Sequence, residues 1–348
     1  MIKFFHISHT DLDGYGCQLI SKKIFPDGKY YNANYGLEVK ANIKTVLSQI
    51  EKLQNEEVFF LISDLNLTSD ESKSLNKNIN NLNDNGYNIK LQLLDHHATG
   101  KPSADKHDWY FLDTSRCATK IVFDYFCENY DEFLPSCSEG FKTLVEAIDD
   151  VDIWHDEDAY FEFGKVAMRL IAQANEINPT LFPNQNRQYR LSMLEKAIDF
   201  IEKENGHIEF DDAIHHIKKD SLKLNDTNDT LDNLSAKHLV HLLEDRKEEL
   251  SIYHKGQKGI LTFTLMNISI PANAFLKANP DFDFFINVGR RGSVAFRADG
   301  KIDMSKIAQA IAGGGGHPNA SGGSFKGWKE TIDYSVVKNF IEEKLDNI

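Results

Sequence analysis

The chain has 348 residues, which is long enough for two domains with sizeable hydrophobic cores. Its 39 lysines and arginines against 53 aspartates and glutamates leave a net charge of −14, which disfavours a protein that tracks long nucleic acid but permits a small anionic substrate held beside cations. Because no apolar run approaches the roughly 18 residues that cross a bilayer, and the first ten residues lack the features of a secretory signal, we expect a cytoplasmic protein with no membrane partner.

The first 150 residues alternate between strand and helix patterns. Apolar runs predict strands at 2–7, 58–62 and 89–94, with a weaker strand at 29–35. Helical periodicity lies between and after these strands, at 15–24, 38–53, 71–83, 118–130 and 139–148. Strands that alternate with helices predict a parallel sheet covered by helices on both faces.

The rest of the chain is first helical and then mixed. Residues 186–250 are highly charged, with helical patterns at 193–204, 211–224 and 236–250. Strand patterns return at 259–266, 282–288 and 292–298, followed by helices at 303–312, with Asp303 as the N-cap, and at 330–345. We therefore predict a parallel-sheet domain over 1–185, a helical connector over 186–255 and a smaller α/β domain over 256–348.

Carboxylates and imidazoles follow three of the predicted strands. Ligands of open parallel sheets gather at the carboxyl ends of the strands, and so many like charges converge there only if cations lie among them. Oxygen and imidazole ligands without cysteine favour Mn²⁺ or a similar ion over structural zinc, and the four cysteines are expected to be reduced thiols. The residues concerned are His9, Asp11, Asp13, Asp64, Asp95, His96 and His97.

Each of these motifs also has a purely structural interpretation. Asp-x-Asp-Gly is usually a turn, and a lone aspartate after a strand is often a helix N-cap. An EF-hand is disfavoured because Lys22 stands where the calcium-binding glutamate is expected. The occurrence of all these motifs together at successive strand ends favours the metal site. A fourth acidic cluster closes the helix at 139–148; we favour Asp150 as its ligand, then Asp149, then Asp152, with a solvated acidic turn as the alternative.

Four consecutive glycines precede His317 in the last domain. Glycines leave backbone N–H groups open to a ligand phosphate, but this is not a P-loop because no Gly-Lys-Ser/Thr follows. Arg297 and His317 add charge and hydrogen-bond donors for a phosphate or a base, whereas a flexible loop is the alternative. The candidate substrate-binding residues are Arg297, Gly314, Gly315, Gly316 and His317.

Together these motifs resemble the DHH phosphoesterase superfamily, in its DHHA1-bearing branch. The resemblance implies an α/β fold with an N-terminal parallel-sheet DHH domain and a smaller C-terminal DHHA1 domain. The chain is most similar to phosphodiesterases of small nucleotides and short oligonucleotides, including the oligoribonuclease (nanoRNase) type. Its first motif has the spacing of RecJ-like members, because His9 stands two residues before the Asp-x-Asp pair. The motifs that carry the resemblance are His9-Thr-Asp11-Leu-Asp13-Gly14, Asp64, Asp95-His96-His97, Asp149-Asp150 and Gly313 to Gly322.

The resemblance also implies roles for these residues. Asp95 would orient the site, and His97 would face the scissile phosphate. Two Mn²⁺-type ions about 3.5–4 Å apart, with Co²⁺ or Mg²⁺ as alternatives, would generate a hydroxide that attacks phosphorus in line with the leaving oxygen. The substrate would be nanoRNA, a linear or cyclic dinucleotide or 3′-phosphoadenosine 5′-phosphate. The implied metal ligands are His9, Asp11 and Asp64 for one ion, and Asp64, Asp13, His96 and Asp150 for the other, with Asp64 bridging.

Two other functions stay open. The same ions serve a phosphomonoesterase or an exopolyphosphatase that acts on non-nucleotide phosphate. A non-catalytic nucleotide-binding regulator is the second alternative, although the intact ligand set disfavours it. A processive exonuclease on long single strands is disfavoured because basic stretches interleaved with aromatic residues are missing. The sequence does not fix the oligomeric state, for which a homodimer is one option.

Overall fold

The computed structural model describes residues 2–348, which divide into two compact units. The first unit comprises Met1–Ala174 with Arg187–Ile214, and the second comprises Asn175–Asn186 with His215–Ile348. The segment 186–255, predicted as a connector, is largely helical, and its residues belong to both units. No helix formed by residues 2–348 is both long and apolar enough to span a bilayer.

The first unit is an α/β structure, as predicted. Two of the divisions between the units fall within the long helices α9 (Pro183–Ile201) and α10 (Gly206–Leu222). The elements before them are β1 (Lys3–Ser8), α1 (Leu12–Ile24), β2 (Lys29–Asn32), α2 (Leu37–Ile50), β3 (Glu57–Ser63), α3 (Ser69–Asp84), β4 (Asn88–Asp95), α4 (Lys101–Ala104), β5 (Tyr110–Leu112), α5 (Ala118–Asn129), α6 (Phe133–Ser136), α7 (Glu139–Asp152) and α8 (Phe161–Ala172).

The five strands of this unit form one parallel sheet in the order β2-β1-β3-β4-β5. The four predicted strands are confirmed, and the three-residue strand β5 is added to them. Ser8 pairs with Ser63, which in turn pairs with Leu94. Strands β1, β3 and β4 therefore end at one edge of the sheet, and this register sets the position of the acidic and histidine residues that follow them.

Burial on both faces explains why the central strands read as continuous apolar runs. Six of the seven residues of β3 are buried. Phe60 and Ile62 share a core cluster with Val46 of α2 and Leu75 of α3. A fully buried side chain of this size contributes about 1.5–3 kcal/mol, so the sheet is a rigid platform for the residues at its edge.

A titratable residue is buried on strand β1. His6 on β1 is fully buried, and its Nε2 lies 2.8 Å from Ser63 Oγ. Burial lowers the pKa of His6 from 6.5 to about 3, with a smaller contribution from the positive charge of Arg187. The folded protein therefore keeps this imidazole neutral, whereas the unfolded chain protonates it below about pH 6.5.

We expect His6 to make the fold less stable in mild acid. Because its pKa is lowered on folding, its contribution to stability is complete above pH 6.5 and is lost as the pH falls towards 3. The loss should be about 2 kcal/mol between pH 6.5 and pH 5, at about 1.36 kcal/mol per pH unit. Urea unfolding of wild type and His6→Gln in EDTA at several pH values checks this. A variant whose stability falls as steeply as that of wild type would contradict it.

The second unit is the smaller α/β structure predicted for the C-terminal part. Its six strands form a mixed sheet in the order β10-β11-β9-β8-β7-β6, in which only β7 and β8 pair in parallel among the described strands. Its elements after α10 are α11 (Leu231–Asp245), α12 (Lys247–Leu250), β6 (Ser251–His254), β7 (Gln257–Phe263), α13 (Ser269–Ala278), β8 (Phe284–Val288), β9 (Ser293–Ala298), α14 (Met304–Ala312), β10 (Gly315–His317), β11 (Ala320–Ser324) and α15 (Tyr334–Asp346).

The glycine run forms the end of α14 and a hairpin at the sheet edge. Asp303 caps α14, as predicted, by accepting a hydrogen bond from the Ser305 amide at 3.1 Å. Gly313 ends the helix with a left-handed backbone (φ +60°). A Cβ at Gly314 would lie 1.9 Å from the Gly322 carbonyl oxygen, so glycine is needed where the two backbones meet. Part of the run predicted to cradle a phosphate is therefore the edge strand β10.

Candidate metal centre

The first ligand group is built where β1 passes into α1. Asp11 is the N-cap of α1 and accepts a hydrogen bond from the Gly14 amide at 3.0 Å. A Cβ at Gly14 would lie 2.4 Å from the His9 carbonyl oxygen, so only glycine lets the helix start against His9. His9 Nδ1 lies 2.7 Å from Asp11 Oδ2. Burial acts to raise the pKa of Asp11, but the hydrogen bond and charge of His9 lower it to about 2.

Asp64 lies at the centre of the site, one residue beyond β3. Its backbone is left-handed (φ +54°), a conformation that aspartate and asparagine tolerate better than most residues. The two oxygens of its buried carboxylate face different neighbours. Oδ2 lies 3.7 Å from His9 Nδ1, and Oδ1 lies 3.4 Å from His96 Nε2.

Asp64 thus belongs to more than one set of possible metal ligands. In each set the ligand atoms lie within 4.8 Å of one another. One Asp64 oxygen faces the group from β1, and the other faces the group from β4, so Asp64 is shared by the two groups. The three sets are His9 with Asp11 and Asp64, Asp13 with His96 and Asp152, and Asp64 with His96 and His97.

The raised pKa values of two of these carboxyl groups fit a cation site. Asp64 Oδ2 is buried and has no hydrogen-bond partner. Burial and the neighbouring aspartates raise the pKa of Asp64 well above its usual range, and the same causes raise the pKa of Asp152 to about 9. Carboxylates that repel one another in a buried site are stabilised in their charged form by a bound cation. The oxygen and imidazole donors suit a divalent ion such as Mn²⁺.

Asp13 is fixed by the start of a helix from another part of the chain. Its Oδ2 accepts a hydrogen bond from the Ala118 amide at 2.8 Å, and its Oδ1 accepts one from the Thr119 amide at 2.6 Å. These are the first amides of α5, which have no partner within the helix. The helix N-terminus therefore orients the carboxylate, whose Oδ2 lies 3.6 Å from His96 Nε2.

In the fourth acidic cluster, the aspartate that lies beside the other candidate ligands is Asp152. Asp152 Oδ2 lies 3.6 Å from His96 Nε2, within the second ligand set. Asp150, which the sequence favoured, instead accepts a hydrogen bond from the Tyr160 amide at 3.1 Å and holds the loop after α7. Asp149 accepts a hydrogen bond from the Cys117 amide at 2.6 Å. Asp149 and Asp152 are three residues apart and share a helix face, whereas Asp150 points away from it.

The Asp95-His97 pair forms a buried hydrogen-bond chain beside the ligands. Asp95 Oδ1 lies 2.8 Å from His97 Nδ1, and Asp95 Oδ2 accepts a hydrogen bond from the Tyr110 hydroxyl at 2.7 Å. The hydrogen bond with Asp95 raises the pKa of His97, against the effect of burial. Asp95 is fully buried and has both oxygens engaged, so it orients His97 and is not among the grouped ligands.

The predicted substrate-binding residues of the second unit lie close together on its sheet. Arg297 on β9 and His317 on β10 both pair with Ala320 of the strand between them. Cross-strand partners share a face, so the two side chains lie on the same face, about 10 Å apart. Arg297 Nη2 donates a hydrogen bond to Ser269 Oγ at 3.1 Å. The residues of β10 are exposed.

The comparisons with known proteins agree with this architecture. Residues 269–346 match the family described as DHHA1 domain. The chain is 41% identical over 347 residues to a 3′,5′-cyclic-nucleotide phosphodiesterase from Helicobacter pylori (strain ATCC 700392 / 26695), covering 100% of both chains. It is 26% identical over 329 residues to the oligoribonuclease NrnB from Bacillus subtilis (strain 168), covering 90% of this chain and 71% of that protein.

A solved structure supports the fold over the whole length. The crystal structure of an uncharacterized protein from Helicobacter pylori G27 is 41% identical, covers 100% of both chains and superposes with a TM-score of 0.95. The identity and coverage confirm the resemblance that the acidic, histidine and glycine motifs predicted. The chain belongs to the DHH/DHHA1 phosphoesterase superfamily.

Proposed function

We propose that the protein hydrolyses phosphodiester bonds of small nucleotides, with 3′,5′-cyclic nucleotides and short oligoribonucleotides as the substrate classes. The observation that carries this proposal is the Asp64 carboxylate, whose two oxygens face two separate groups of ligands. The names of the Helicobacter and Bacillus relatives support both substrate classes. The net charge of −14 supports a short substrate over a long polyanion.

The residues proposed to hold two divalent ions come from the grouped sets. Asp64 is the shared ligand, His9 and Asp11 complete one side, and the other side is completed by Asp13, His96 and Asp152. Bound there, such ions supply a nucleophile at neutral pH and stabilise charge on phosphoryl oxygens. We propose Mn²⁺ as the ion, with Co²⁺ and Mg²⁺ as alternatives, because the donors are oxygen and imidazole without thiolate.

The chain's own groups then orient the reacting phosphate. Asp95 Oδ1 lies 2.8 Å from His97 Nδ1 and orients the imidazole, which we propose faces the scissile phosphate. In the second unit, we propose that Arg297 and His317 bind a phosphate or nucleoside of the substrate, supported by their position on one sheet face.

The function is tested with a substrate panel. We expect the EDTA-treated and dialysed protein to be inactive, and added Mn²⁺ to restore hydrolysis of 3′,5′-cyclic AMP and of RNA two to five nucleotides long, read by chromatography. An Asp64→Asn variant purified in the same way controls for contaminating nucleases. Hydrolysis confined to polyphosphate or phosphomonoesters would contradict the proposal. Nucleotide binding without turnover in Mn²⁺, Co²⁺ and Mg²⁺ would also contradict it and would indicate a regulator.

We also propose that the protein works in the cytoplasm. Its four cysteines are all free, and three of them are buried. Reduced, unpaired cysteines are typical of a cytoplasmic protein.

A further inference from the structure

The loop between β2 and α2 brings none of the grouped ligands, yet one of its residues reaches the site. The Tyr35 hydroxyl oxygen lies 3.3 Å from His97 Nε2. The Tyr35 ring is tilted against the His9 ring at 5.3 Å and lies edge-on to the His97 ring at 6.1 Å, measured between centroids. Tyr35 is nevertheless 45% exposed, so part of its ring faces solvent at the site.

Hydrogen bonds hold this loop against the first ligand group. Thr10 Oγ1 donates a hydrogen bond to Asn34 Oδ1 at 2.9 Å, and Asn32 Nδ2 donates one to the His9 carbonyl at 2.9 Å. The Asn34 amide in turn donates to Glu38 Oε2 at 2.8 Å. The backbone of Tyr35 is therefore fixed from both sides.

Tyr35 connects two parts of the site that the sheet keeps apart. Strand β2 is an edge strand, and β1 and β3 separate it from β4, whose end carries His97. With strands about 4.8 Å apart, the side chain reaches across the ends of two strands to meet the imidazole. Of the groups described at His97, Tyr35 is the one that engages Nε2, since Asp95 engages Nδ1.

These two contacts define the orientation of the His97 ring. Asp95 Oδ1 lies 2.8 Å from Nδ1 of the imidazole. The Tyr35 hydroxyl oxygen lies 3.3 Å from Nε2, so the ring has a hydrogen-bond partner at both nitrogens. A ring held at one nitrogen alone retains freedom to turn about its side-chain torsions.

We propose that Tyr35 is a positioning residue of the phosphodiesterase reaction, whose hydroxyl fixes the orientation of His97 at the substrate side of the site. The inference rests on the proposed function, in which His97 faces the phosphate. Tyr35 acts through His97 and holds none of the ions.

The test uses variants that remove the hydroxyl and keep the ring. Tyr35→Phe should lower kcat about three- to tenfold, the effect of losing one hydrogen bond, while KM and metal content stay within about twofold of wild type. Tyr253→Phe, at an exposed tyrosine on β6, is the matched control and should change neither constant. A kcat of Tyr35→Phe equal to that of wild type, or a loss of bound metal, would overturn the proposal.

A double-mutant cycle distinguishes positioning from a separate role. In a His97→Ala background, Tyr35→Phe should have no further effect on kcat, because the two residues act as one unit. An equal loss in both backgrounds would overturn the inference.

A measurement that needs no turnover separates this inference from the proposed function. The ¹⁵N chemical shift of His97 Nε2 should change in Tyr35→Phe and stay unchanged in Tyr253→Phe. If wild type hydrolyses no phosphodiester, the proposed function fails, whereas an unchanged His97 shift in Tyr35→Phe refutes the Tyr35–His97 hydrogen bond itself.

Discussion

Replacing Asp64 by asparagine should abolish activity and at the same time stabilise the metal-free protein. Asparagine keeps the shape of the side chain and tolerates the left-handed backbone (φ +54°), so the variant should fold. We expect turnover to fall by about 10³-fold or more, because in the proposed function Asp64 is shared by both ion sites and its charge would contribute several kcal/mol. The measurement is the rate of cyclic-nucleotide and short-RNA hydrolysis in saturating Mn²⁺.

Although Asp64→Asn should abolish activity, it should stabilise the metal-free protein. Burial and the neighbouring aspartates raise the pKa of Asp64, so the metal-free fold disfavours the charged carboxylate, and asparagine carries no such charge. We expect Asp64→Asn to be about 1–3 kcal/mol more stable than wild type in EDTA, and to gain less from added Mn²⁺. Asp131→Asn, at an exposed aspartate, is the control. Retained turnover, or the same Mn²⁺-induced rise in Tm as wild type, would refute the bridging role.

The adjacent aspartates of α7 provide the second large effect. Asp152→Asn should lower kcat by about 10²-fold or more and reduce the number of ions bound, because Asp152 belongs to the set with Asp13 and His96. Asp150→Asn should cost less than about tenfold, since an asparagine oxygen can still accept the hydrogen bond from the Tyr160 amide.

Metal content after dialysis, measured by elemental analysis, separates these two variants. Asp150 and Asp152 lie within one turn of α7, so each variant is the control for the other. If Asp150→Asn were to lose the ion and Asp152→Asn keep it, the sequence-based choice of Asp150 would be right and the assignment from the structure would be wrong.

Sequence reasoning located the site because its main residues follow apolar strands. Asp64 comes directly after β3, and the Asp95-His96-His97 run begins with the last residue of β4; in a parallel sheet such residues meet at one edge. The same residues form short motifs next to recognisable strands, and these motifs identified the superfamily.

The residues that were missed depend on contacts between distant segments. Tyr110 and Tyr35 have no local pattern, and their roles arise only when β5 and the β2–α2 loop pack near His97. The three-residue spacing of Asp149 and Asp152 places them on one helix face, a signal that the sequence-based preference for Asp150 did not use. The hairpin of β10 and β11 was hidden because its glycines resemble a loop.

The glycine hairpin has a consequence for self-association. Strand β10 is at the open edge of the six-stranded sheet, but it is only three residues long and two of them are glycine. So short an edge offers few free backbone groups to a strand from a second molecule, which protects the protein against aggregation by strand addition. Engineering that lengthens this hairpin with β-branched residues would remove that protection and invite fibrous assembly.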